Sequence, residues 1–108
     1  MGLSEAEARA ACASVRTAAH PYQATGAGWA HDERDGLAKL IADGATGRLL
    51  GALVVGHRAT DVIHELALAL KHGLTVAQLA ETVHMHPTFA EAVGLAARAW
   101  VEQARNDA

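Results

Sequence analysis

No second cysteine accompanies Cys12 in the 108 residues, which excludes an internal disulfide and any Cys-x-x-Cys redox motif. A lone cysteine suits a reducing compartment, and Cys12, in an Ala-rich helical stretch, reads as a small buried side chain. Aromatic residues are also scarce: one Phe, one Tyr and two Trp. Apolar residues make up 51% of the chain, much of it Ala, so the core must be thin and some apolar surface is left for a partner. Lys and Arg are scattered, and the formal charge of -3 argues against nucleic acid as a partner. No apolar run reaches membrane-spanning length, and the N-terminus carries no signal-peptide pattern. These absences predict a soluble cytoplasmic protein, with residues 1–108 forming a single domain.

What is present alternates between helix and strand signals. Ser4-Glu5-Ala6-Glu7 reads as a capping box opening a helix through about Cys12. Ala13–Tyr22, ending at His20-Pro21, suits an irregular or edge strand. Gln23–Gly36 reads as a loop with room for one helical turn around Trp29. Gly36–Asp43 and Arg48–Gly56 form a hairpin through Gly44-Ala45-Thr46-Gly47, and Gly51 and Gly56 mark a bulge or a close backbone approach. The returning strand is apolar on both faces, which predicts a central position in the sheet. Thr60-Asp61 is expected to cap a helix through Lys71-His72, with Ile63, Leu66, Ala67 and Leu70 on its core side and Gly73 ending it. Thr75-Val76-Ala77-Gln78 is a second capping box, opening a helix to about Val83. The last helix is expected from Thr88, burying Val93, Ala96, Ala97, Trp100 and Ala104 and turning Arg98, Glu102 and Arg105 outward. This order predicts an α+β domain, an antiparallel sheet with helices packed on it.

Chemistry concentrates in His84-Met85-His86-Pro87-Thr88-Phe89-Ala90-Glu91. Pro87 drives His86 out of the helical region, so its imidazole sits on an extended lead-in while Glu91 falls on the following turn. A carboxylate bonded to one imidazole nitrogen fixes the tautomer and raises the basicity of the other, as a general acid/base near neutral pH requires. Thr88-x-x-Glu91 equally reads as a plain capping box. His84 and His86 alternate on extended chain, so both rings could face one way toward a metal, but two histidines fall short of a closed site. His57, Asp61 and His64 form another conceivable ligand set; the plainer reading places Asp61 at the positive end of a helix. His64-Glu65 begins a His-Glu-x-x-His pattern that Leu68 breaks. Gly44 and Gly47 flank a turn and do not precede a helix, so they make no phosphate cradle.

Gly36 to about Ala97 resembles the C-terminal dimerisation domain of the pyridine nucleotide-disulfide oxidoreductases, most nearly their dihydrolipoamide dehydrogenase-like members. The resemblance rests on Lys39–Asp43, Thr46–Ala52, Val55-Gly56, Ile63-His64-Glu65, Ala67–Ala69, Gly73–Val76 and Leu79-Ala80, and above all on His84–Thr88 with Glu91-Ala92. Gly2–Ala8 resembles the same domain's first helix. The resemblance implies a homodimer in which each subunit lends its His-Pro segment to the other's site. It implies that His86 protonates and deprotonates a thiol, that Glu91 orients and polarises His86, and that His86 and Pro87 help close the partner's flavin pocket. FAD and NAD(P) are thereby implied for a complete enzyme, joined to this domain through its own nucleotide domains or a separate chain.

Three departures qualify the likeness. The 108 residues contain no Gly-x-Gly-x-x-Gly fingerprint, so this chain alone is expected to bind neither FAD nor NAD(P). They contain no Cys pair to act as a redox disulfide. Met1-Gly2-Leu3 stands just after the family's first strand, which predicts an unpaired sheet edge. The leading expectation is therefore the dimerisation domain of an FAD-dependent NAD(P)H-disulfide oxidoreductase, inactive in isolation. The alternatives are a stand-alone dimeric interaction module or gene remnant without catalysis, and a small histidine-based metal binder.

Overall fold

The computed structural model describes residues 1–107. Helix α1 (Glu5–Ala11) starts at the expected capping box, in which the Ser4 Oγ accepts from the Glu7 N–H and the Glu7 carboxylate accepts from the Ser4 N–H. That backbone donor holds the Glu7 carboxyl below its ordinary pKa. Strand β1 (Val15–Pro21) follows, then a single 3-10 turn at Tyr22–Ala24 and the short helix α2 (Gly26–Ala30), capped by Thr25. The hairpin β2 (Gly36–Asp43) and β3 (Leu49–Gly56) leads into α3 (Ala59–Lys71), α4 (Val76–Glu81) and α5 (Glu91–Asn106). The helical turn expected around Trp29 and the capping box at Thr75 are both present.

The sheet is antiparallel throughout, in the order β1-β2-β3. β1 is an edge strand, as its terminal Pro21 suggests. The centre, however, is β2 and not the returning strand β3. Ala38, Leu40 and Ala42 of β2 are fully buried, whereas Leu53 and Val55 of β3 face outward. Apolarity on both faces of β3 therefore does not mean burial on both faces here. The outer edge of β3 is instead partly closed by the N-terminus. Leu3 N–H donates to Leu50 O, Ala52 N–H donates to Met1 O, and the terminal ammonium donates to Ala52 O at 2.8 Å. The expected open edge is thus paired over Leu50–Ala52.

Glycine makes this seam possible. A Cβ on Gly51 would collide with the Leu3 carbonyl, so the close backbone approach read from the sequence is real. The register between β2 and β3 slips beside it, pairing Ile41 with Gly51 but Ala42 with Leu49, which is the irregularity also expected there.

Helices cover both sheet faces. On one, Lys39 Nζ reaches Glu5 Oε1 of α1 at 2.7 Å, and this bond, with Arg9, lowers the Glu5 carboxyl pKa. On the other, α5 lies over β1 and β2, with α3 against β3. α5 approaches closely because its inner face is Ala92, Val93, Ala96 and Ala97, all fully buried. Trp100 completes that face and donates its Nε1–H to the Arg16 carbonyl at 2.9 Å, tying the last helix to the first strand. Arg98, Glu102 and Arg105 are exposed, as expected. α3 buries Val62, Leu66 and Ala69, its inner stripe rotated slightly from the predicted one, with Ile63 and Leu70 half-buried beside them.

Three local expectations change. α3 begins at Ala59 with Arg58 as its cap, in a left-handed conformation (φ 57°) and without a side-chain cap bond. Thr60 and Asp61 therefore lie in its first turn, and the Asp61 carboxylate meets Arg58 at 3.5 Å. Cys12 is not buried in a helix; it terminates α1 with an extended backbone and is half-exposed. α5 begins at Glu91 rather than Thr88, for a reason that belongs to the site described below.

Two stability outcomes follow from this packing. Gly51→Ala pushes Leu3 off β3, and an overpacking cost of about 1–3 kcal/mol should lower the Tm by roughly 4–8 °C per kcal/mol in a thermal melt. Tyr22 is fully buried with its hydroxyl donating to the His57 carbonyl at 2.9 Å, and burial raises its pKa. A raised folded pKa means stability fully present below about pH 10 and lost as pH climbs through the folded value. Tyr22→Phe should cost about 1 kcal/mol at neutral pH and flatten that alkaline loss, as read by denaturant melts across pH.

Candidate functional site

The chain from Thr82 to Ala90 links α4 to α5 and carries the two histidines singled out by the sequence. α4 stops at Glu81, where the Thr82 hydroxyl donates back to the Gln78 carbonyl at 2.7 Å. Phe89, buried under Tyr22 with ring centroids 4.8 Å apart, pins the far end of the segment to the core. Between these anchors the His86-Pro87 peptide bond is cis.

Thr88 does not cap α5. Its hydroxyl donates to the Met85 carbonyl at 2.6 Å, closing the turn that carries His86. The first N–H groups of the helix are met instead by Thr88, Phe89 and Ala90 carbonyls at 3.0–3.3 Å, a tightened lead-in that needs no side-chain cap. Half of the expected capping box survives, since Glu91 Oε1 accepts from the Thr88 N–H at 3.0 Å.

The same carboxylate takes His86. His86 Nδ1 lies 2.8 Å from Glu91 Oε1 and 3.1 Å from Oε2. A carboxylate only accepts, so Nδ1 carries the hydrogen and Nε2 keeps its lone pair. The His86 side chain is 71% exposed, against 21% for Glu91, so a largely exposed ring is held from behind by a half-buried carboxylate. The two readings of Glu91 are thus not exclusive: one carboxylate serves the turn and the imidazole. Pro87, beside it, is exposed.

His84 behaves in the opposite sense, and sequence reasoning missed its partner. His84 Nε2 lies 2.7 Å from Glu65 Oε2 on α3, and its side chain is only 9% exposed. Here Nε2 carries the hydrogen and Nδ1 is left against the backbone of Gly94. The two rings therefore do not converge on a common ligand. His57, Asp61 and His64 do not converge either. His57 sits 3.8 Å from Glu33, Asp61 faces Arg58 and His64 is exposed. Among the described residues no group of three or more His, Cys, Asp or Glu side chains is placed to hold a metal.

Beside the His86 turn runs a cleft of about 380 Å³ lined by Ala27, His31, Val62, Pro87, Phe89 and their neighbours. Gly26, at the start of α2, borders His86 directly: a Cβ there would stand 3.0 Å from His86 Cε1 and 3.6 Å from Nε2. Nothing local in the sequence marks Gly26 or Glu65 as neighbours of this segment, because both contacts are made across the fold. No helix among the described residues is long and apolar enough to cross a membrane.

Comparison with known proteins places the chain in a family. Residues 1–97 match the family model of the pyridine nucleotide-disulphide oxidoreductase dimerisation domain. The chain is 41% identical to dihydrolipoyl dehydrogenase of Thermus scotoductus over 104 residues, covering 96% of this chain and 23% of that protein. With dihydrolipoyl dehydrogenase of Chlorobaculum tepidum the identity is 40% over 97 residues, covering 90% and 21%. The chain thus spans about a fifth of the length of the curated relatives it matches. Among solved structures, LpdA from Mycobacterium tuberculosis superposes with a TM-score of 0.84 at 27% identity, covering 92% of this chain and 22% of that one. RclA from Escherichia coli, a flavoprotein disulfide reductase, shares the fold with a TM-score of 0.83 at 24% identity, covering 90% and 22%. The chain belongs to the pyridine nucleotide-disulphide oxidoreductase family, and the part of that family it represents is the dimerisation domain.

Proposed function

We propose that residues 1–108 act as a single dimerisation domain in an FAD-dependent NAD(P)H-disulfide oxidoreductase, and that His86, backed by Glu91, moves a proton at the partner subunit's thiol/disulfide site. The observation that carries this reading is the 2.8 Å Nδ1–H bond to Glu91 beneath an exposed ring. With Nδ1–H held, the outward Nε2 accepts the S–H proton of a substrate thiol as that sulfur becomes the attacking thiolate. The imidazolium so formed is stabilised by the Glu91 carboxylate, and it returns the proton to the leaving thiolate in the reverse direction.

When the substrate's second thiol displaces the remaining sulfur, the substrate leaves as a disulfide and the attacked disulfide becomes a dithiol, for which bound FAD would supply the two-electron acceptor. The 108 residues hold no glycine-rich phosphate cradle, so the flavin's own binding domain lies outside them. What this chain can offer such a group is the exposed His86-Pro87 edge. Its other contribution is assembly. Leu53, Val55, Leu68, Val83 and Met85 remain exposed, which is apolar surface of the kind a subunit contact covers.

In a complete enzyme carrying this domain, His86→Gln should slow thiol oxidation by roughly 10²–10⁴-fold in a stopped-flow assay, and Glu91→Gln by less. An unchanged His86→Gln rate overturns the assignment. A Cβ at Gly26 would stand 3.0 Å from His86 Cε1, so Gly26→Val displaces the ring from its place against Glu91. It should lower the same rate by roughly 10–100-fold, the scale of a small misplacement, while the melting temperature stays near that of the unaltered protein.

A further inference from the structure

We infer that His84, held by Glu65 and seated on Gly94, is a positioning residue that sets the orientation of His86. The inference rests on the reading of His86 as the acid/base and names what holds it in place.

Two residues apart on extended chain, the two rings could face one way, yet here they are directed to different elements. His86 turns to Glu91 on α5 and His84 to Glu65 on α3, at 2.8 Å and 2.7 Å. Because Nε2 of His84 donates to Glu65, its unprotonated Nδ1 is the nitrogen turned toward α5. There the ring meets Gly94, where a Cβ would stand 2.6 Å from Nδ1 and 3.0 Å from Cε1. Any larger residue at 94 has to displace the imidazole.

Gly94 lies inside a helix, where glycine is a poor choice on propensity alone. Its place is explained by the ring it accommodates. Gly94 also follows Glu91 by three residues, so both lie on one face of α5. A small cleft lined by His84, Glu91, Gly94, Leu95 and Arg98 joins the two sites. His84 is thus clamped between the carboxylate of α3 and the first turns of α5. That clamp fixes the start of the Met85–Pro87 turn, as Phe89 fixes its end. The His84 side chain is 9% exposed, against 71% for His86, which separates its role from that of His86.

The test uses the full chain with isotope-labelled histidine, because nitrogen NMR shifts of each ring report which nitrogen carries the hydrogen. In the unaltered chain, His86 should hold its hydrogen on Nδ1 and His84 on Nε2. Gly94→Ala improves α5 as a helix yet evicts His84. His86 should then lose its single-tautomer signature and average toward a free imidazole, with helicity retained by circular dichroism. His84→Ala should do the same, while His84→Gln, whose amide can still donate to Glu65, should keep more of the signature. The inference is overturned if His86 keeps its Nδ1–H signature in folded Gly94→Ala, or if the unaltered chain lacks that signature. Gly94→Ala keeps the test decisive even where His84→Ala fails to fold. The readout needs no turnover, so an intact signature in folded Gly94→Ala leaves the acid/base reading standing, and an unchanged rate in His86→Gln leaves this result standing.

Discussion

The Glu91 carboxylate accepts from the His86 imidazole and from the Thr88 backbone within 3.1 Å, and the rest of the candidate site depends on where that carboxylate is held. Glu91 is the first residue of α5, so its position is the position of the helix. A carboxylate there also complements the positive end of the helix dipole. The placement of α5 is in turn set by the sheet. Ala92, Ala96 and Ala97 against Ala38 and Ala42 let helix and sheet approach closely, and Trp100 locks the register by bonding the Arg16 carbonyl. The Ala-rich composition that makes the core thin is thus what brings the His86 segment against a rigid support. Little side-chain entropy is lost in such a core, because Ala has none to lose.

The two His-Glu pairs show how the same chemistry is put to opposite uses by burial. In both, one ring nitrogen donates to a carboxylate and the other is left basic. At His86 the ring is largely exposed; at His84 it is largely enclosed, with Nδ1 against Gly94. Exposure, not pairing, is what distinguishes a group able to meet a substrate from one that braces the backbone. A sequence pattern of two histidines separated by one residue carries no trace of this difference.

Legibility in the sequence followed the range of the interactions. Ser4 with Glu7 and Thr75 with Gln78 were readable because a capping box is closed within four residues. His86 with Glu91 was readable because Pro87 breaks the chain between them. Thr88 was misjudged as a cap because its hydroxyl had a competing local acceptor, the Met85 carbonyl, which spacing alone does not reveal. The order of strands was misjudged because the apolar run Leu49–Val55 does not say which of its faces the chain itself covers. Glu65 and Gly26 lay wholly out of reach: their meaning comes from α3 and α2 being folded back on the His84–Pro87 segment.

The strand error carries information about assembly. A strand that is apolar on both faces but exposed at Leu53 and Val55 is incomplete by the ordinary logic of sheet burial. The same holds for the His84–Pro87 segment, where Val83 at 79% and Met85 at 68% exposure flank the largely enclosed His84. Apolar side chains that alternate with a buried imidazole present a surface unfavourable to leave in water. A dimerisation domain resolves this, because the surface it leaves exposed is the surface it uses. On the proposed reading, covering that surface and completing the environment of His86 are then one event. On that reading the partner subunit supplies both the surface facing Nε2 and the cover for the outer apolar residues.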